Sequence, residues 1–252
     1  MKLNIVPART GILWVKLGIQ TFLKQPLALA GLFFMYMASV LVVAQVPVVG
    51  ILIGGMLVPA ATLGLMAATA EASKGRFPMP SVLISAFRAG RQRVRAMLIL
   101  GALYTGGSLL ATSLASLLVG EQPATASEID VTTLVALALH IPLFLAFWHA
   151  PALVHWHGVT PVKSLFFSVV ACLRNFGAFL VFGVVWLTVF LATGTLFGLL
   201  GSLLGGPTTA RAVMMPAALL MTAMFSTSIY FTFRDSFVAA PDDTQQPTGE
   251  SP

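Results

Sequence analysis

The chain has 252 residues, 58% of them hydrophobic and 9% charged, with a mean hydropathy of +0.93 and a net charge of +6. A water-soluble domain carries about 25% charged residues, so this composition argues against a soluble globule and for a bilayer as the solvent. The excess cations do not read as a nucleic-acid surface, because they border apolar stretches, where anionic lipid headgroups lie.

The first 24 residues scatter Lys2, Arg9, Lys16 and Lys24 through the segment, unlike a cleavable signal peptide. Over 10–24, Lys16, Gln20 and Lys24 recur at helical spacing opposite Ile12, Val15, Ile19, Phe22 and Leu23, which predicts an amphipathic helix at the membrane surface. A crossing needs about 20 apolar residues, and ionised side chains at the bilayer centre are costly. Gln25 to Ala70 carries no charge and is long enough for two crossings. Proline places the break at Gln45-Val46-Pro47, giving spans near 27–45 and 49–70. A second surface helix is expected over 80–92, with Ser81, Ser85, Arg88, Gln92 and Arg95 opposite Val82, Leu83, Ala86 and Phe87. Spans near 97–119 and 132–156 follow, then a third surface helix over 161–174. The window Asn175–Ala210 reads as one helix, 177–203, fraying at Gly205-Gly206-Pro207, with a re-entrant break as the alternative. A last span covers 212–233, and the polar, acidic run 241–252 reads as a disordered tail. The expected fold is all-α: a single membrane domain, 1–240, with six transmembrane helices.

Charge orients it. Thirteen of the 14 basic residues fall on one side of these spans, Arg211 being the exception, while Glu121, Glu128 and Asp130 lie on the other. The positive-inside rule makes the basic side cytoplasmic and, with an even number of spans, puts both termini there. An internal repeat also emerges. Residues 59–92 and 142–175 align at an offset of 83, matching Pro59 with Pro142, Gly75 with Gly158, Pro78 with Pro161, Ser81 with Ser164, Ser85 with Ser168 and Arg91 with Arg174. The unit is a surface helix, a basic-plus-amide elbow (Lys24-Gln25, Arg91-Gln92, Arg174-Asn175) and a helical hairpin. Three copies entering from one side are parallel repeats about the membrane normal.

The opening NIVPARTGILWVKLGIQTFLKQPLALAGLFF carries a family resemblance, chiefly in PARTG-x-x-W-x-x-x-G from Pro7 to Gly18 and the K-Q-P-L-A-L elbow after it. It resembles an uncharacterised family of six-helix inner-membrane proteins from β-proteobacteria, over the whole chain except the tail. The units are loosely similar to the membrane domain fused to some glycerophosphodiester phosphodiesterases, without that enzyme's metal-binding carboxylates. The resemblance implies a bacterial inner-membrane location and no activity.

Candidate chemistry is sparse. No Asp, Glu, Lys or Arg falls inside a predicted span, which argues against ion-coupled transport. His140, His149, His155 and His157 cluster in or after the fourth span. On a continuous helix His149 would lie about 180° from His140 and about 120° from His155, so no metal site forms and no cofactor is expected. His155 and His157 read as interfacial anchors, while His140 and His149 are candidate bundle-facing polar residues, since a histidine at membrane depth needs a partner. Lys16, Lys24, Arg88, Arg91, Arg93, Arg95, Lys163 and Arg174 are the candidate contacts to anionic lipid headgroups. Gly50-x-x-x-Gly54 and Gly194-x-x-x-Gly198 suggest close helix contacts, and Cys172, the lone cysteine, reads as a packed thiol. The expected role is non-enzymatic, handling lipids or scaffolding a protein partner. The alternatives are a transporter or channel between the hairpins, lined by His140, Thr105 or Thr188, and an intramembrane enzyme using His140 or His149.

Overall fold

Uncharged stretches of this chain are helical. The structure, a computed structural model, describes residues 2–47, 49–119 and 131–238. The acidic connection 120–130 and the tail 241–252 lie outside the described residues. In chain order come α1 (Thr10–Lys24), α2 (Pro26–Ala44), α3 (Val49–Ser73), a 3-10 turn (Pro80–Ile84), α4 (Ser85–Arg88), α5 (Arg91–Val119), α6 (Val131–Phe147), α7 (Ala150–His157), α8 (Pro161–Arg174) and α9 (Phe176–Ser236). Pro26, Pro80, Pro151 and Pro161 each open a helix, where proline's missing N–H has no intrahelical partner to lose. Among the described residues five stretches are long and apolar enough to cross a membrane: α2, α3, α5, the α6–α7 run and α9. The architecture is an all-α polytopic membrane fold.

α9 is two helices joined by a turn. Gly206 has φ 77°, a conformation glycine tolerates, and Pro207 then starts the second arm. The expected fraying point is therefore a hairpin turn, and the last helix begins at 207 rather than 212. The arms 176–204 and 207–236 run back along each other. Trp186 Nε1 donates to Ser228 Oγ at 3.1 Å, the Trp186 and Phe225 rings lie 5.5 Å apart, and a Cβ on Gly201 would come within 2.5 Å of Ala210 Cα.

Two short strands, β1 (Lys2–Leu3) and β2 (Phe237–Val238), pair antiparallel and hold the two ends of the described chain together. Beside them α1 packs against both arms of α9, burying Gly11, Trp14, Val15, Gly18, Thr21 and Phe22. Of the apolar face read from the sequence, Val15 and Phe22 are buried, Ile19 is half-buried, and Ile12 and Leu23 are exposed. The arms of α9 approach so closely that small residues must meet them: a Cβ on Gly18 would sit 2.5 Å from Ser228 Cβ. The glycine pairs are also redistributed. Gly50 lies against the Val43 carbonyl, while Gly54 and Gly194 face open space.

Two expected helices are broken. Instead of one helix over 80–92, the chain makes the 3-10 turn and the single turn α4. It then bends at Gly90, with φ 91°, before α5 starts at Arg91. The fourth span breaks at Trp148-His149 because Pro151 has no N–H to donate and its ring crowds the Phe147 carbonyl. α8, by contrast, is unbroken.

Gly18→Val should overpack the α1–α9 contact and cost about 1–3 kcal/mol, read as a lower Tm in detergent. An unchanged Tm would show that α1 does not dock as described.

Candidate functional site

Three polar regions stand out among the described helices: buried ones at the α6–α7 break and around Asn175, and an open one at the basic end of the bundle.

At the break, the lost helical bond is repaired from outside. His149 N–H would ordinarily donate to the Leu145 carbonyl. Instead it donates to Ser168 Oγ of α8 at 3.0 Å, and that hydroxyl donates onward to Leu145 O at 2.7 Å. The serine is thus inserted into the helical ladder. The His149 side chain is fully buried, with the rings of Phe179, Phe233 and Phe237 around it at 5.7, 6.0 and 5.4 Å. Thr232 Oγ1 donates to Ile229 O at 2.7 Å, so its oxygen accepts from Trp148 Nε1 at 2.8 Å and from His149 Nε2–H at 3.3 Å. His149 Nδ1 then faces the Cys172 thiol at 4.0 Å. Burial in α8 pushes that thiol up to about 12, so it stays protonated and poorly nucleophilic at neutral pH.

His140 is equally engaged. Its Nδ1–H donates to Ala136 O at 2.7 Å, and Ser108 Oγ donates to Nε2 at 3.1 Å. It lines a cavity of about 200 Å³ with Tyr104, Phe144, Phe147 and Trp148. Both candidate histidines therefore hold helices together. Thr105 does not share that cavity, since it packs on Gly55, and Thr188 is exposed. The four histidines do not gather, and among the described residues no three of His, Cys, Asp and Glu converge to hold a metal. The angular relation expected for a continuous helix disappears with the break at His149.

Sequence reasoning missed a second buried network. Asn175, read only as an elbow amide, is buried and accepts Val6 N–H on Oδ1 at 2.9 Å while donating Nδ2–H to Asn4 O at 3.1 Å. Trp14 Nε1 donates to Asp235 Oδ2 at 3.0 Å. The amide signal was visible, but not that its partner would be the start of the chain.

The basic end carries all eight candidate cations, and all eight are exposed. Lys16 and Lys24 lie on α1, and Lys163 and Arg174 on α8. Arg88 ends α4, and Arg91, Arg93 and Arg95 lie in the first turns of α5. Among the described residues the ion pairs are Arg76–Glu71 and Arg234–Asp235, neither of which uses a candidate cation. Arg88 and Arg93 are brought together on a cavity of about 500 Å³, with Glu71, Ser81, Ser85 and His155. Arg93 and Arg95 border a second, of about 310 Å³, beside Gln92, Gly158 and Thr160. Arg91 borders neither of these two cavities. This arrangement supplies positive charge and hydrogen-bond donors, suited to holding anions.

With that geometry in view, the chain is similar to a Burkholderia thailandensis protein named a probable inner membrane protein. The two are 39% identical over an alignment of 256 positions covering 94% of each chain. No family model matches the sequence, and no solved structure matches it.

Ser168→Ala leaves His149 N–H without a partner and Leu145 O with only the Cys172 thiol at 3.9 Å, and should cost about 1–3 kcal/mol; a melting curve like that of the wild type would refute the inserted hydroxyl. Cys172 should resist maleimide in the folded protein at pH 7 and react after unfolding in SDS. Prompt labelling of the native protein would contradict its burial.

Proposed function

The chain belongs to the family of that Burkholderia inner-membrane protein, and from this premise we propose that it is a six-span, non-enzymatic protein gathering anionic lipid headgroups at its cytoplasmic end. The observation that carries the reading is the set of eight exposed cations, none ion-paired among the described residues, collected at one end of apolar helices. Cations left free at that level attract an anionic leaflet by about 1 kcal/mol each, and the positive-inside rule makes that leaflet cytoplasmic.

Six spans follow from counting the arms of α9 as two crossings beside α2, α3, α5 and α6–α7. The β1–β2 pairing supports an even number, since it brings Lys2–Leu3 and Phe237–Val238 to one side. Contacts around the bundle support the threefold repeat. The second elbow packs on α3, α8 packs on α6 and α7, and α1 packs on α9, so each elbow rests on the hairpin before it and the ring closes. The elbow amides keep the same order. Gln25 Nε2 donates to Arg76 O at 3.2 Å, just ahead of the second elbow. Gln92 lies beside Gly158 and Thr160, ahead of the third, and Asn175 holds Asn4 and Val6, ahead of the first. Hairpins closed in a ring by basic elbows make a platform on the inner leaflet, on which lipids or a protein partner assemble.

Replacing Arg88, Arg91, Arg93 and Arg95 together by Gln should lower phosphatidylglycerol co-purification several-fold or disturb topology. Unchanged lipid content with unchanged reporter topology would refute the platform. An alkaline phosphatase fused after Pro252 should be inactive; an active fusion would place that end in the periplasm and overturn the even count.

A further inference from the structure

The cations of the second elbow are not spread evenly over the surface. α4 ends at Arg88, the chain bends at Gly90, and α5 begins at Arg91. This break, absent from α8, carries Arg88 and Arg93 to the same cavity of about 500 Å³. Two guanidiniums on one cavity repel each other unless a counter-charge lies between them. The carboxylate on the wall, Glu71, does not serve, because Arg76 Nη2 already donates to its Oε1 at 2.8 Å. The cavity is also bordered by Ala89 and Arg93, beside the N-terminus of the 29-residue helix α5, whose free N–H groups and dipole favour an anion.

An independent observation points the same way. Among the described residues, the buried side-chain polar atoms without any hydrogen-bond partner are Gln25 Oε1, Ser85 Oγ and His155 Nδ1. Two of the three, Ser85 and His155, belong to residues lining this cavity. A buried hydroxyl and a buried ring nitrogen left unbonded are costly, and a ligand seated beside Ser85 and His155 is what would bond them.

We propose that this cavity is a discrete site for a phosphate group, with the guanidiniums of Arg88 and Arg93, the Ser85 hydroxyl and the His155 imidazole as its donors. Phosphate suits the set because its tetrahedral oxygens can accept from several directions at once, including the forked donors of two arginines. The surroundings place the site at headgroup depth. Phe77, Met79, Ile84 and Phe87 of the same elbow are exposed, an apolar fringe that seats in the acyl region while the cavity faces the phosphates. A lipid whose phosphate is the last charge, such as phosphatidylglycerol, fits; a headgroup with its own ammonium brings a cation against two arginines. The inference deepens the lipid-gathering reading and takes its source of phosphate from it, but the geometry of the cavity stands apart from that reading.

The test uses the full chain in phosphatidylcholine nanodiscs doped with phosphatidylglycerol, with bound lipid counted by native mass spectrometry. Wild-type protein should retain one phosphatidylglycerol preferentially. Arg88→Gln with Arg93→Gln should weaken that binding about tenfold or more, and Ser85→Ala should weaken it less. Lys2→Gln with Arg9→Gln removes the same charge from exposed residues outside the eight candidate cations and should change it less than about twofold. Both arginines are exposed, so the pocket variant should keep the wild-type Tm. Equal weakening by the two double variants would overturn the discrete site and leave general lipid gathering intact. No preference for phosphatidylglycerol, and no binding of inorganic phosphate, would overturn both. Inorganic phosphate bound in undoped discs, and lost in the Arg88/Arg93 variant, would support the site with a soluble phosphate as its occupant.

Discussion

Hydrocarbon offers no hydrogen bonds, and this shapes the molecule more than any apolar contact does. A helix in a bilayer satisfies its own backbone, so each place where the chain breaks must find partners inside the protein. At the α6–α7 break the partner is a single hydroxyl, Ser168 Oγ, standing between His149 N–H and Leu145 O. At the elbow amides, Gln25 and Asn175 reach lead-in segments that carry no helix of their own. His149, Ser168 and Asn175 are interior polar groups that serve joints where regular structure stops.

That view explains why apolar contact alone would not define this fold. In lipid, burying one leucine against another gains little over leaving it against an acyl chain. Shape and hydrogen bonds must do the selecting. Trp14 is enclosed by Phe179 and Phe182 and bonded to Asp235, and Trp186 is bonded to Ser228. Gly11 and Gly18 let α1 come close enough for these bonds to form.

Much of the architecture could be read from charge alone. Uncharged windows mark the apolar helices because ionised groups are costly in hydrocarbon, and the basic elbows mark one end. The failures share a cause, which is that periodicity describes a helix and not its neighbours. Spacing put Ile12, Val15 and Phe22 on one apolar face, but it could not tell that Val15 and Phe22 would be buried while Ile12 stays exposed. Trp148-His149 looks continuous until Pro151 is weighed against a serine 17 residues further on. Proline near Gly205-Gly206 marked a weak point, but the reversal there depends on Trp186 and Ser228 meeting across it. For the candidate site, the cations themselves were legible and their grouping was not. Arg88 and Arg93 share a cavity because Gly90 bends the chain between them, and Ser85 and His155 come from segments that sequence does not relate.

The pairing of Lys2–Leu3 with Phe237–Val238 has a bearing on biogenesis. Among the described residues the first of these strands precedes every helix and the second follows them all. The bed for α1, including Ser228 and Asp235, is likewise made last. Until α9 exists, Trp14 lacks Phe179, Phe182 and Asp235, the groups that enclose and bond it. The docking of α1 is thus a contact between segments far apart in the chain, whatever the order in which the hairpins form.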